Sequence, residues 1–303
     1  MYRIDCHVHP EHSPDAEGTV RDYCARAVAI GLNALCFTTH VDLCEAPTIV
    51  VAGERIPAGD RRWLRAYCEE VRAVGREFAP RGLRVLCGVE ADYFPGCEDP
   101  LREFLADAAL DYVMGSVHYL DDHVLTRRSS ATAYFAATEL DDMAGRYYGA
   151  VAAAAGSGLF DAIGHLDIYR RFGDPLYGQA AATVHRRLAG PALRAIARAG
   201  LGIEVNTSTI RRGGREVHPG ADLLRLCRSS GIRIVTVGSD AHTVADLGSG
   251  LDEGYAALMA AGYDEVYTFE GRRPVPHALG GRRPGAEPLR VAAELPIQEE
   301  VKA

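Results

Sequence analysis

A single parallel α/β barrel, with its chemistry at the C-terminal rim of the strands, is the fold class this sequence predicts. Three observations point to it. Short apolar runs alternate with amphipathic stretches in βα order along most of the 303 residues, and that order implies parallel strands with helical crossovers. No linker or shift in composition interrupts the alternation before about residue 271, so seven or eight βα units read as one domain. No G-x-G-x-x-G follows the first apolar run, where an open doubly wound sheet would normally carry it.

The strand candidates, in order, are Arg3 to His7, Ala34 to Phe37, Arg84 to Val89, Tyr112 to Val117, Phe160 to Gly164, Leu201 to Val205, Ile232 to Val237 and Val266 to Phe269. Most are apolar runs rich in β-branched residues, as strands buried on both faces are. Between the first two, Val20, Tyr23, Cys24, Ala27 and Val28 recur at helical spacing and stop at Gly31. Leu64, Tyr67, Cys68, Val71 and Phe78 form a second such stripe, and Asp99-Pro100 reads as an N-cap with proline in the first helical position. The barrel is expected to occupy residues 1–270. Residues 271–303, rich in Arg, Pro and Gly, are expected to form a loosely ordered tail.

Composition narrows the chemistry. A formal charge of −8 argues against a stable nucleic-acid partner or an anionic membrane surface, so any anion site must be a confined pocket. No window is apolar enough to span a bilayer, and the first residues read as a strand rather than a signal peptide, so a cytoplasmic location is expected. The eight cysteines form no C-x-x-C pair and several lie in apolar runs, as core thiols in a reducing compartment do. Lys302 is the only lysine, which leaves no P-loop lysine, Schiff-base lysine or carbamylated-lysine metal bridge within the fold.

The histidines are placed non-randomly. His7 and His9 end the first strand candidate, His40 the second, Glu90 the third, His118 the fourth, His165 the fifth, and Asp240 with His242 the seventh. Any one of them is most simply a hydrogen-bonded polar residue. Strand ends make up roughly 8% of the chain, so about one histidine in eleven should fall there by chance, whereas six do. In a parallel barrel these ends converge on one cavity, and imidazole mixed with carboxylate suits Zn, Fe or Mn. His7 and His9 are two apart on an extended strand, so both rings leave one face and can hold one ion; Asp240 and His242 repeat the spacing.

The motifs Asp5-x-His7-x-His9, Ser13-x-Asp15, Phe37-Thr38-Thr39-His40, Gly88-Val89-Glu90, Gly115-Ser116-Val117-His118, Gly164-His165-Leu166-Asp167, Asn206-Thr207-Ser208 and Gly238-Ser239-Asp240-Ala241-His242 occur in this order. Together they resemble the polymerase and histidinol phosphatase (PHP) family, and within it the stand-alone histidinol-phosphatase branch, over roughly residues 2 to 277. The resemblance implies a distorted (β/α)7 barrel and two to three divalent ions. Carried onto matching positions, it gives His7, His9, Glu90 and Asp240 to one ion, Glu90, His118 and His165 to a second, and Asp15, His40 and His242 to a third. Only Asp15 comes from the resemblance alone. Asp5 is expected to support a ligating histidine through that ring's other N–H. His12 lies off the motifs, as a solvated loop residue or a substrate contact.

The expected activity is hydrolysis of a small phosphate monoester, L-histidinol phosphate first among candidates, by a hydroxide shared between ions, with His7, His9, Glu90 and Asp240 at the catalytic centre. Phosphate also needs guanidinium groups. Arg170, Arg171 and Arg211, with Asn206, are the expected substrate contacts, and Arg127-Arg128 reads as a solvated pair. The sequence leaves open whether water on the metals, His12, Tyr119 or His218 protonates the leaving group. Thr209-Ile210 before Arg211 and His218-Pro219-Gly220 depart from the branch's usual Gly-Leu and Tyr-Pro-Ser. These departures keep a nucleotide, an oligonucleotide end or a sugar phosphate as alternative substrates. An amidohydrolase is a more distant reading, since such enzymes often bridge their metals with a carbamylated lysine, and a non-catalytic scaffold would have lost several ligands.

Overall fold

The computed structural model of the chain describes residues 2–43, 48–51, 54–57, 60–106 and 108–280. Its centre is a sheet of seven parallel strands: β1 (Ile4–Val8), β2 (Ala34–Val41), β3 (Arg84–Asp92), β4 (Tyr112–Ser116), β5 (Ala162–Ile163), β6 (Gly202–Asn206) and β7 (Val235–Gly238). Spatial order follows chain order. A parallel bridge between Val8 and Ala241, with His9 N donating to Ala241 O at 2.8 Å, joins the last strand to the first. The result is a nearly closed (β/α)7 barrel.

Sequence explains how the strands come so close at the rim. A Cβ on Gly88 would stand 2.8 Å from the Tyr112 carbonyl oxygen, and one on Gly238 would stand 2.3 Å from His7 Cβ. Both positions therefore require glycine for packing, the second directly beside the H-x-H pair. Crossover helices include α1 (Val20–Ala29), whose Thr19 and Asp22 make a reciprocal capping box, and α2 (Arg61–Phe78), capped by Asp60. Their apolar stripes bury Tyr23, Cys24, Ala27, Trp63, Leu64, Tyr67 and Val71 against the barrel. Helix α3 (Glu98–Leu105) starts two residues earlier than Asp99-Pro100 suggests. Cys97 is the N-cap, and Glu98 turns its carboxylate back onto Gly96 N and Tyr93 Oη, so Pro100 falls in the first turn, where no N–H is needed.

The largest departure lies at the C-terminal end. Glu265–Glu270 is a strand, but it pairs antiparallel with Arg273–Ala278 rather than joining the barrel as an eighth unit. Gly271 and Arg272 both take positive φ, the two-residue reversal that turns a strand straight back on itself. Residues 271–280, expected as the start of a loose tail, therefore belong to the folded body; residues 281–303, like Cys44, lie outside the described residues. The hairpin covers the N-terminal mouth of the barrel. His277 stacks on Tyr2 at 4.2 Å, Phe269 on Tyr112 at 5.0 Å, and Glu270 pairs with Arg84 at 2.6 Å. That leaves the opposite rim open for chemistry.

Candidate metal centre

Every strand-end residue predicted from the sequence projects at this open rim, and alternation on β1 puts His7 and His9 side by side, with Nε2 atoms 2.9 Å apart. Both side chains are fully buried. Asp240 Oδ1 lies 3.6 Å from His7 Nε2 and 3.5 Å from His9 Nε2. At the end of β3, Glu90 faces two ways. Its Oε2 is 3.2 Å from His7 Nε2 and 3.1 Å from His40 Nδ1, while Oε1 is 3.0 Å from His165 Nε2 and 3.5 Å from His118 Nε2. His118 and His165 approach each other at 3.2 Å. On the outer side, Asp15 Oδ2 lies 3.3 Å from His242 Nε2 and Oδ1 lies 3.7 Å from His40 Nε2. Donor atoms thus converge in three sets: His7 with His9 and Asp240, Glu90 with His118 and His165, and His9 with His40 and His242. The last set places His9 on both sides of the grouping, a sharing that sequence spacing does not show.

The donor set fits divalent ions. Ligands about 2.0–2.1 Å from a tetrahedral zinc stand roughly 3.3 Å from one another, and the pairs above lie between 2.9 and 3.7 Å apart. The back of several rings is fixed by an oxygen, which points the other nitrogen into the cluster. Glu204 Oε1 is 2.5 Å from His7 Nδ1, Asp92 Oδ1 is 2.6 Å from His118 Nδ1, and Ser13 Oγ is 3.2 Å from His9 Nδ1. Ser116 Oγ donates to Glu90 Oε1 at 2.6 Å.

Electrostatics agree with a cation-seeking site. Burial opposes charge on Glu90, yet the His7 and His118 charges and the His165 and His40 hydrogen bonds outweigh it and hold the carboxyl well below its ordinary range. Asp240 is held down in the same way by His7, His9 and His242. Burial would lower His7, but Glu204, Glu90 and Asp240 together push it well above the usual imidazole value. His40 and His118 are each raised to about 9, chiefly by the Glu90 and Asp92 carboxylates working against burial. His9, buried beside His40 and His242, is driven well below. Protons at these nitrogens sit where metal cations would, so metal uptake must release them. Two of the candidate ligand positions, His165 and Asp240, take positive φ of 21° and 54°, backbone strain of the kind that collects at functional sites.

A cavity of about 370 Å³ opens onto the cluster, and Arg171, Arg211 and Arg212 form its other wall. Burial together with Arg212, Arg211 and Arg128 outweighs the opposing Asp240 carboxylate and lowers Arg171 to about 10. A larger cavity of about 1300 Å³ shares Thr126, Arg171 and Arg212 with the first.

The remaining predicted substrate contacts are not brought to this wall. Arg170, one residue before Arg171, points away along the helix and is spent on Asp167, Asp174 and Glu216. Asn206 is fully buried and directs its amide at Glu204. His12 is neither solvated nor at the cavity: it is 4% exposed, packs edge-on to Tyr67 and pairs with Glu70 at 3.1 Å. Asp5 touches no imidazole and instead accepts from Ser239 N, Ser239 Oγ and Gly248 N, tying down the loop that carries Asp240. Arg128, expected on the surface, lines the larger cavity and shares the Phe172 ring with Arg171, each guanidinium 5.0 Å from the centroid. Glu204 and Asp92 went unrecognised in the sequence. Their signal was there: a carboxylate inside the buried run Gly202-Ile203-Glu204-Val205, and an acid two residues after Glu90 on the same strand.

Comparison with known proteins agrees with this arrangement. The family model described as "PHP domain" matches residues 5–208. A protein of Deinococcus radiodurans named "Probable histidinol-phosphatase" is 36% identical over 279 residues, covering 90% of this chain and 98% of that one. The histidinol-phosphatase of Lactococcus lactis subsp. lactis is 24% identical over 276 residues, with 90% and 96% covered. The crystal structure of the Lactococcus lactis histidinol phosphate phosphatase, complexed with zinc, L-histidinol and phosphate, superposes with a TM-score of 0.75 at 23% identity, over 90% of this chain and 99% of that one. By sequence, by the order of its rim residues and by its barrel, this chain belongs to the PHP domain family.

Proposed function

We propose that this protein is a metal-dependent phosphomonoesterase that hydrolyses L-histidinol phosphate to L-histidinol and phosphate, a reaction of histidine biosynthesis. The observation that carries this reading is the 36% identity to a relative named for that activity, spanning 98% of it. The rim geometry supports it independently. Two to three divalent ions drawn from Zn, Fe and Mn are assigned to His7, His9 and Asp240 with Glu90, to Glu90 with His118 and His165, and to Asp15, His40 and His242. Bound there, the ions supply an activated water and offset negative charge on phosphoryl oxygens. Glu90 links two of the sets through its separate oxygens, and its bond from Ser116 keeps that orientation. The same proposal places the enzyme in the cytoplasm, in keeping with seven described cysteines that are all free thiols.

The phosphate dianion is assigned to the arginine wall. Arg211 is held by the Ser239 and Asp240 carbonyls and by Asp246, so it presents a fixed fork beside the Asp240 loop. Arg171 lies over the Phe172 ring and makes no ion pair among the described residues, so its charge faces the cavity. Substituting Arg171→Met is expected to lower kcat/KM about 10²-fold, as removal of one oxyanion donor does, with metal content unchanged. Because that guanidinium repels three neighbours, the same variant should melt slightly higher than wild type and gain less from added inorganic phosphate. Steady-state kinetics and thermal melts in phosphate check both. Unchanged kinetics would remove Arg171 from the phosphate site.

The direct test of substrate is phosphate release from a panel containing L-histidinol phosphate, nucleoside monophosphates and sugar phosphates, with metal content measured on the same sample. L-histidinol phosphate is expected to give the highest kcat/KM. A nucleotide or sugar phosphate in first place would keep the phosphatase and replace its substrate, and a metal-loaded protein inert on the whole panel would end the proposal.

A further inference from the structure

The larger cavity holds a histidine–carboxylate pair that the metal centre does not use. His218 Nδ1 lies 2.6 Å from Asp167 Oδ1, and the other Asp167 oxygen accepts from Gly220 N at 3.0 Å and Arg170 Nη1 at 3.2 Å. Asp167 is 1% exposed, and its ion pair with Arg170 and its bond from Gly220 N on one oxygen, with His218 at the other, present it as a carboxylate that accepts on both. An ionised carboxylate only accepts, so the His218 proton facing it must be on Nδ1, and Nε2 is the nitrogen left for the cavity. His218 and Asn206 exchange two backbone hydrogen bonds of 2.6 and 2.9 Å at the end of β6, which fix the main chain that carries the ring, and the Asp167 contact orients the ring itself.

Position then decides what Nε2 meets. A phosphoryl group between the metal ligands and the arginine wall has its metal side closed by the fully buried His7 and His9. The alcohol part of the ester therefore extends into the larger cavity, which begins at Arg171 and Arg212 and is lined by His218. Arginines there do not give up protons. His185 is engaged with Asp222 at 3.0 Å, and Asp174 and Glu216 are ion-paired to Arg170. His12 and Tyr119 line neither cavity.

We propose that His218, positioned by Asp167, donates the proton that the departing alcohol oxygen takes up when the ester is cleaved. This inference rests on the phosphatase reading above. The bond from phosphorus to the alcohol oxygen breaks with its electron pair on oxygen, and that pair takes the Nε2 proton. The new bond to phosphorus comes from water, and the proton water loses passes to solvent, from which His218 is reprotonated.

The test compares wild type, His218→Asn and His218→Ala on phosphate monoesters of graded leaving-group acidity, from L-histidinol phosphate to 4-nitrophenyl phosphate. Asparagine keeps an N–H for Asp167 and so guards against a folding artefact, which unchanged metal content and melting confirm. Both variants should lose about 10²–10⁴-fold in kcat on the alkyl ester and less than about threefold on the aryl ester, whose leaving group needs no proton. Equal loss along the series, or none at the alkyl end, overturns the assignment. Wild type that releases phosphate from no ester in the series would instead unseat the phosphatase reading itself.

Discussion

Alanine at His7 or at Asp240 is expected to remove bound metal and phosphate release together. His7 Nε2 stands within 3.6 Å of His9, Glu90 and Asp240 at once, so its loss opens a donor set that is buried at every member. It also leaves Glu204, Glu90 and Asp240 facing one another, three buried acids without the imidazole that tempered their repulsion. Asp240 offers its Oδ1 to His7, His9 and His242, so removing it disturbs sets on both sides of His9. The expected fall in kcat/KM exceeds about 10³-fold, well beyond the 10–100-fold that follows loss of a carboxylate behind a ligand. Elemental analysis should find at least one ion fewer per chain in each variant. Circular dichroism and melting would show whether the barrel persists, as expected from a core that lies mainly between strands and helices. Metal content and turnover that survived both substitutions would defeat the ligand assignment.

Why so much of this centre was legible in sequence follows from the barrel itself. A parallel strand buried on both faces ends where apolar residues stop, and in these folds that stop is the active rim. His40, Glu90 and His118 could thus be placed together without knowing any contact between them. Register did the rest, since two-residue spacing puts His7 with His9 on one face. Partners behind the rings were harder to see. Glu204 meets His7 across 197 residues, a distance no local period encodes. A charged residue in the middle of a buried strand is nevertheless costly enough to demand a partner, and Glu204 could have been singled out on that ground.

The arginines and the C-terminal hairpin fail in sequence for a different reason. Consecutive residues on a helix point about 100° apart, so Arg170 and Arg171 face different ways; only Arg171 lines the cavity beside the metal centre, and composition does not say which of the two would. Asp167 and Asp174, at i−3 and i+4 from Arg170, drew that residue into ion pairs and left Arg171 to the site. His12 misleads in the opposite sense: it sits in a dense polar run, yet its ring packs on Tyr67 and its nitrogen is occupied by Glu70. The Glu265–Glu270 strand has the apolar pattern of a barrel unit. The reversal at Gly271-Arg272 decides its role, and a turn of two residues is easily lost in an Arg-, Pro- and Gly-rich stretch.

Glu204→Gln should weaken metal binding without removing any ligand, and the atoms explain why. Oε1 takes the His7 Nδ1 proton at 2.5 Å, Oε2 takes the His165 backbone N–H at 3.0 Å, and the Asn206 amide reaches both at 3.3 and 3.5 Å. A carboxylate satisfies all of these donors. Glutamine of the same shape has one oxygen, so whichever way it is turned, its NH₂ confronts either His7 Nδ1–H or His165 N–H. In the first case His7 shifts its proton to Nε2 and loses the lone pair a metal needs; in the second the positive-φ backbone at His165 is released. Metal affinity is expected to drop about 10–100-fold, in the range found for partners behind ligating histidines. Excess metal should restore much of the Glu204→Gln activity while leaving His7→Ala inactive, because the first variant retains every ligand and the second does not. Metal titration monitored by turnover separates the two. A Glu204→Gln protein with wild-type metal affinity would show that the His7 orientation is set by the strand alone, with the carboxylate behind it incidental.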